Sequence, residues 1–201
     1  MATLAQLRQA FDAAGQFYHV LPLHDGAAAL VTQRGARVLG LFPAPDAENL
    51  FWTNPTLLDA ERFRGFLAAG DWNLGGDRFW IAPELHYNVR DRFRFNEKYA
   101  LPPAVDPGQY SMTVQGETVT FQQHLTLTAY NQASGTVQLE IERTLCPTRN
   151  PLHTLRAAAD LMAGVRYSGY EQTVRHGADG NFGLRRSGQG GCTLPINTDE
   201  D

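Results

Sequence analysis

The chain has 201 residues, of which 43% are hydrophobic and 19% charged, and its formal net charge is −4. This length favours one domain with a sizeable core. The negative balance excludes the electrostatic footprint expected for nucleic acid or for an anionic membrane surface. No apolar run reaches membrane-spanning length and no leader is recognisable, so we expect a cytoplasmic protein without a membrane partner. Cys146 and Cys192 are too few for a disulfide framework, and no motif predicts a cofactor.

Short elements separated by turn signals make up the first part of the chain. The segment Thr3–Ala14 predicts an amphipathic helix that Thr3 caps and Gly15 ends. Three short strands follow, at residues 17–23, 28–33 and 37–42. Residues 57–69 have the composition of a second helix, so the sequence predicts small strands flanked by helices here.

The segment Leu74–Asn88 concentrates polar and aromatic side chains. Gly75 and Gly76 permit backbone angles or close approaches that a Cβ would forbid. The residues after them alternate like a strand, which would place Arg78 and Trp80 on one face. Pro83 marks an edge, a bulge or the end of that strand. If the extended run resumes after Pro83, the side chains that project together are Glu84, His86 and Asn88.

An aromatic ring beside forked polar groups is typical of sugar-binding sites. The candidate residues are Arg78, Trp80, Glu84 and His86, with Trp52 and Asn54 on the rim. The alternative makes Trp80 a core residue, Arg78 and Glu84 an ordinary ion pair and His86 a half-buried imidazole. Glu84 and His86 are also the candidates for acid–base catalysis. A metal site formed by Glu84, His86 and Asp91 is a lesser alternative.

From Gln109 onward the pattern is that of an antiparallel meander. Apolar and polar residues alternate along the predicted strands 110–114, 119–130 and 137–145, so one face is buried and the other solvated. A helix is predicted at 153–163 and a last strand at 165–175. We therefore expect a mainly β fold, an antiparallel β-sandwich with a few short helices in one domain, residues 1–176. The glycine-rich segment 177–201 is predicted to be a disordered tail.

Four segments of the chain resemble galactose mutarotase-like proteins of the aldose 1-epimerase superfamily, in an uncharacterised bacterial branch. They are Val31–Leu41, Asn49–Trp52, Gly75–Glu84 and Glu140–Leu145. The resemblance covers residues 15–175 and implies an incomplete copy of a large antiparallel β-sandwich. It implies a small-molecule carbohydrate as ligand and, if the chain has an activity, an aldose 1-epimerase-like isomerase.

The sequence departs from that family at the positions that carry its chemistry. Leu74 occupies the place of a histidine before the paired glycines, and the motif of the acid histidine and the late base glutamate are missing. No catalytic residue can therefore be assigned through the resemblance. A chain ending near Arg175 would also leave sheet edges and an apolar face exposed, which suggests a natural short form, a homodimer or a truncated product. The alternative function is therefore a non-enzymatic β-sandwich module that dimerises through an exposed sheet.

Overall fold

The computed structural model describes residues 2–130, 135–154, 164–178 and 181–187, and within these ranges the chain is mainly β. Sheet I is antiparallel, with the strands β1 (Tyr18–Pro22), β2 (Ala28–Thr32) and β3 (Arg37–Phe42). Sheet II is also antiparallel, with the strands β4 (Ser111–Gln115), β5 (Thr118–Thr128), β6 (Thr136–Pro147), β7 (Tyr170–Ala178) and β8 (Asn181–Ser187). In both sheets neighbouring strands follow one another in the sequence. The helices are α1 (Leu4–Ala14), α2 (Ala60–Ala68), α3 (Glu84–Asn88) and α4 (Phe95–Lys98).

Helix α1 begins and ends where the sequence predicts. The Thr3 hydroxyl accepts a hydrogen bond from the Gln6 amide at 3.3 Å, and the Gln6 side chain accepts one from the Thr3 amide at 2.9 Å. This reciprocal capping box satisfies two amides that a helix start leaves without partners. Gly15 follows the helix in the left-handed conformation, with φ of 64°, which glycine adopts without steric cost. Neither α1 nor any other described helix has both the length and the apolar character required to cross a bilayer.

Sheet I is covered on both faces. Leu30, Leu39 and Phe42 pack against Phe11 of α1 and Phe63 of α2. The side chains on the opposite face, which alternate with these along the strands, pack against sheet II. These are Ala29, Val31 and Val38, in contact with a cluster that includes Val119, Phe121 and Ile141. The protein therefore has three layers, helices, sheet I and sheet II, and the predicted mainly β, antiparallel sandwich is confirmed.

Sheet II has one apolar face and one polar face. Along β5, Val119, Phe121, Gln123 and Leu125 are buried, and the residues that alternate with them are more exposed. The outward face carries cross-strand polar pairs: Gln122 donates to Glu142 at 2.8 Å, and Arg175 approaches Glu142 at 3.4 Å. Where β5, β6 and β7 meet on the outer face of sheet II, these side chains are thus polar.

The structure differs from the prediction for the last segment of the chain. Gly177 and Ala178 belong to β7, and Asn181–Ser187 pairs with it as β8 instead of being disordered. A strand edge presents unpaired amides and carbonyls, and an added strand satisfies them even when its sequence contains few large apolar residues. Residues 179–180 and 188–201 lie outside the described residues, as does most of the helix predicted at 153–163.

Candidate functional site

Two glycines place the central segment directly against sheet I. Gly75 and Gly76 have φ angles of 92° and 71°. The Gly76 amide donates to the Trp52 carbonyl at 2.9 Å, and the Asp77 amide donates to the Val38 carbonyl at 2.8 Å. A Cβ on Gly75 would lie 2.3 Å from the Trp52 oxygen, and one on Gly76 would lie 2.4 Å from the Val38 oxygen. The predicted close approach of backbone is therefore confirmed, and no other residue fits here.

A buried carboxylate, Asp106, holds two guanidinium groups beside these glycines. Its side chain is 4% exposed, and its Oδ2 accepts from Arg37 Nη2 at 2.5 Å and from Arg78 Nη1. Arg37 also donates to the carbonyls of Gly75 at 2.9 Å and Trp72 at 3.0 Å. Burial raises the pKa of the Asp106 carboxyl and lowers the pKa of Arg37 to about 10. Arg37, held by Asp106, therefore fixes the backbone at Trp72 and at the first of the paired glycines.

A second buried arginine, Arg143 of β6, links sheet II to the segment that contains the paired glycines. Its Nη1 donates to the Ala36 carbonyl at 2.7 Å, and its Nη2 donates to Asp77 Oδ2 at 2.6 Å and Gln172 Oε1 at 2.7 Å. The Tyr170 hydroxyl donates to the same Asp77 oxygen at 2.7 Å. Asp77 is consequently oriented by two donors from sheet II while its side chain remains 29% exposed.

Arg78 lies between two indole rings. Its guanidinium carbon is 4.2 Å from the ring centre of Trp72 and 3.5 Å from that of Trp80. Both distances are within the range of cation–π attraction, and stacking on planar rings restricts the guanidinium plane. The guanidinium therefore covers one face of Trp80, which the sequence suggested as the surface for stacking on a sugar.

A pocket of about 390 Å³ opens beside this arrangement. Trp52, on its rim, is 56% exposed. The lining residues that carry aromatic or polar side chains are Arg37, Phe51, Trp52, Trp72, Asn73, Asp77 and Arg78. We call this cavity the Trp52 pocket. It places an accessible indole next to an amide, a carboxylate and a guanidinium.

Glu84 and His86 do not share a face, contrary to the prediction. The chain turns into the short helix α3 after Pro83, because proline suits a helix start and cannot continue a strand ladder. Residues two apart on a helix are separated by roughly 200° around its axis, so their side chains diverge. Glu84 accepts from the Tyr99 hydroxyl at 2.6 Å and from Asn88 at 3.2 Å. Neither Glu84 nor His86 lines the Trp52 pocket.

The remaining candidates have local structural roles. Asn54 caps the turn Pro55–Leu58, where its Oδ1 accepts from the Thr56 amide at 3.0 Å, and its Nδ2 donates to the Asn73 carbonyl at 3.1 Å. Asp91 accepts from the Phe93 amide at 3.0 Å at the start of another turn. Across the described residues no group of three or more His, Cys, Asp or Glu side chains is placed to hold a metal ion. The suggested metal site of Glu84, His86 and Asp91 is therefore not assembled.

Of the six predicted site residues, the pocket brings together Trp52 and Arg78, with Trp80 behind Arg78. Sequence reasoning missed Trp72, Asn73 and Asp77. The adjacent Trp72 and Asn73 offered the same local signal as the aromatic and amide residues at positions 52 and 54. Asp77 offered none, since its role depends on Arg143, 66 positions later.

Comparisons of the chain with protein-family models, with curated proteins and with solved structures found no match.

Proposed function

We propose that the protein binds carbohydrate in the Trp52 pocket. One observation carries the proposal: an exposed indole, Trp52, shares a pocket with the polar side chains of Asn73, Asp77 and Arg78. An indole face suits the C–H surface of a sugar ring. An amide, a carboxylate and a guanidinium together supply donors and acceptors for its hydroxyls. The stacking surface is thus Trp52, while Trp80 supports Arg78.

The size and rigidity of the pocket suit a monosaccharide. Its volume of about 390 Å³ lies within the roughly 300–1,000 Å³ that is usual for small-molecule sites. Two of the polar side chains are held in position before a ligand binds. Arg143 and Tyr170 hold Asp77, and Asp106 holds Arg78. Binding would therefore cost little additional side-chain ordering.

A second cavity, of about 600 Å³, is less suited to a sugar. It lies between the turn at Asp25, the loop at Pro43–Asp46 and residues 165–167. Its lining contains no indole, and its three charged residues, Asp25, Asp46 and Arg166, are exposed, with Asp46 3.9 Å from Arg166. Although this cavity is larger, its lining residues are less suited to a sugar than those of the Trp52 pocket.

The proposal is for binding without epimerase chemistry. Proton transfer at an anomeric carbon needs an acid and a base on opposite sides of the reacting group. Asp77 is the carboxylate in the pocket lining, but its Oδ2 already accepts from Arg143 and Tyr170, and a guanidinium such as that of Arg78 offers donors only. Glu84 and His86 lie on α3, outside the pocket lining. These observations support a carbohydrate-binding protein, the non-catalytic form of the function that the sequence suggested.

Calorimetric titration of the full chain with a panel of monosaccharides tests the proposal. Trp52→Ala should weaken binding by about tenfold, because stacking and lost contact area together contribute on the order of 1.4 kcal/mol. Phe93→Ala is the matched control, since Phe93 is also an exposed aromatic residue and lies outside the pocket lining. It should leave both affinity and melting temperature unchanged. A parent protein that binds no sugar at millimolar concentration, or a Trp52→Ala variant that binds as the parent does, would contradict the proposal.

A further inference from the structure

The region behind the Trp52 pocket holds more positive than negative charge. Four guanidinium groups lie close together, those of Arg34, Arg37, Arg78 and Arg143; we call them the guanidinium cluster. Two carboxylates pair with it directly, Asp106 with Arg37 and Arg78, and Asp77 with Arg143, and the charge of a third, Asp71, acts on Arg34. Burial lowers the pKa of Arg37, and the charges of Arg78, Arg143 and Arg34 contribute to that lowering. Because burial weakens solvent screening, an additional negative charge would be stabilised here.

Three members of the guanidinium cluster form their hydrogen bonds with other groups of the protein and not with the open part of the pocket. Arg37 donates to Gly75, Trp72 and Asp106, and Arg143 donates to Ala36, Gln172 and Asp77. Arg34 donates to the Asp71 carbonyl at 2.8 Å and does not line the pocket.

Arg78 is the cluster member that presents donors to the Trp52 pocket. It lines the pocket with 16% of its side chain exposed, and Asp106 engages its Nη1. A guanidinium has five N–H donors in a planar fork, so donors remain for a ligand. The rings of Trp72 and Trp80 fix the plane of that fork. A planar anion can therefore pair with Arg78 through parallel hydrogen bonds.

We infer that the Trp52 pocket selects sugars that carry a carboxylate, such as hexuronates, over neutral hexoses. The inference rests on the proposed carbohydrate binding and extends it by naming the substrate class. The carboxylate pairs with Arg78, and the sugar ring lies on Trp52. Asp77 accepts a hydroxyl, and its own charge is offset by Arg143. A single reachable guanidinium and a nearby carboxylate favour a monoanion over a phosphate, which carries more charge and three acceptor oxygens.

Matched ligands test the inference on the unmodified protein. Affinities of the full chain for glucuronate and galacturonate are measured by calorimetry beside their methyl esters, their parent hexoses and the hexose 6-phosphates. We expect each uronate to bind about 10 to 100 times more tightly than its methyl ester, the usual effect of a charge-assisted hydrogen bond. The preference should fall as salt is added, because Arg78, the member of the cluster that meets the carboxylate, is partly open to solvent.

Two variants test whether the preference for uronate over its methyl ester depends on Arg78. Arg78→Gln should abolish the preference for uronate over ester while weak binding of the neutral sugar persists. Arg175→Gln, on the outer face of sheet II, removes the same charge outside the pocket lining and should retain the preference. If Arg78→Gln does not fold, the ester comparison and the salt dependence of the parent decide the question.

The outcomes separate this inference from the function on which it rests. Equal affinity for uronate and methyl ester would overturn the selectivity and leave carbohydrate binding intact. Tighter binding of a hexose 6-phosphate than of either uronate would overturn the assignment of a carboxylate. Absence of binding to every sugar would overturn both proposals.

Discussion

Replacing Gly75 by alanine should strongly destabilise the protein, and its cost can be separated into two parts. The residue has φ of 92°, which for a residue with a Cβ costs roughly 1–2 kcal/mol. The new Cβ would also lie 2.3 Å from the Trp52 oxygen and 2.8 Å from the Thr53 Cα. These are backbone atoms that cannot rotate away, so overpacking adds roughly 1–3 kcal/mol. We expect the free energy of unfolding to fall by about 2–5 kcal/mol in total.

Two other glycines provide the controls for urea denaturation. Gly116 has φ of 59°, and no atom lies within 4 Å of the position that a Cβ would take, so Gly116→Ala should cost the conformational part alone. Gly65 lies inside α2 with open space around it, and Gly65→Ala should stabilise the helix by about 0.5–1 kcal/mol. The reasoning is refuted if Gly75→Ala costs no more than Gly116→Ala. A Gly75→Ala variant that folds should also bind sugar more weakly, because the backbone of Trp52 must shift.

Two further substitutions test the surroundings of the site and the helical layer. Asp106→Asn should lower the free energy of unfolding by roughly 3–5 kcal/mol, because it leaves Arg37 buried without its counter-charge; a loss below about 1 kcal/mol in urea denaturation would show that the pair contributes little net stability. Asp59→Ala should cost about 1 kcal/mol, since the Asp59 carboxylate accepts from the Glu61 and Arg62 amides at the start of α2. Thermal melts of Asp59→Ala beside Asp59→Asn, which retains the acceptor, would detect that loss, and equal melting temperatures would contradict the capping role.

Elements specified by nearby residues could be predicted from the sequence. The alternation along β5 is long enough to fix both the strand and its buried face, and the outward residues are polar as expected. The ends of α1 depend on Thr3, Gln6 and Gly15, all within or next to the helix. The need for glycine at positions 75 and 76 was also visible, because two consecutive glycines before an aromatic run indicate a close backbone contact.

The candidate site could be predicted only in part, because its decisive contacts join distant segments. Arg37 and Asp106 are 69 positions apart, and each looks like an ordinary surface charge in the sequence. Period-two spacing also misled the interpretation of Glu84 and His86, since a five-residue segment fits a strand or a helical turn equally well.

The hydrogen bond from Arg143 to the Ala36 carbonyl spans 107 positions and joins the two sheets. Sheet I is assembled from neighbouring hairpins within residues 18–42, whereas its contact with sheet II requires closure of a long stretch of chain. Closing such a loop costs conformational entropy before the contact between the sheets can stabilise the protein. Across small proteins, folding rates fall as the average sequence separation of contacting residues increases. We therefore expect the joining of the two sheets, rather than the formation of the hairpins of sheet I, to limit the rate of folding.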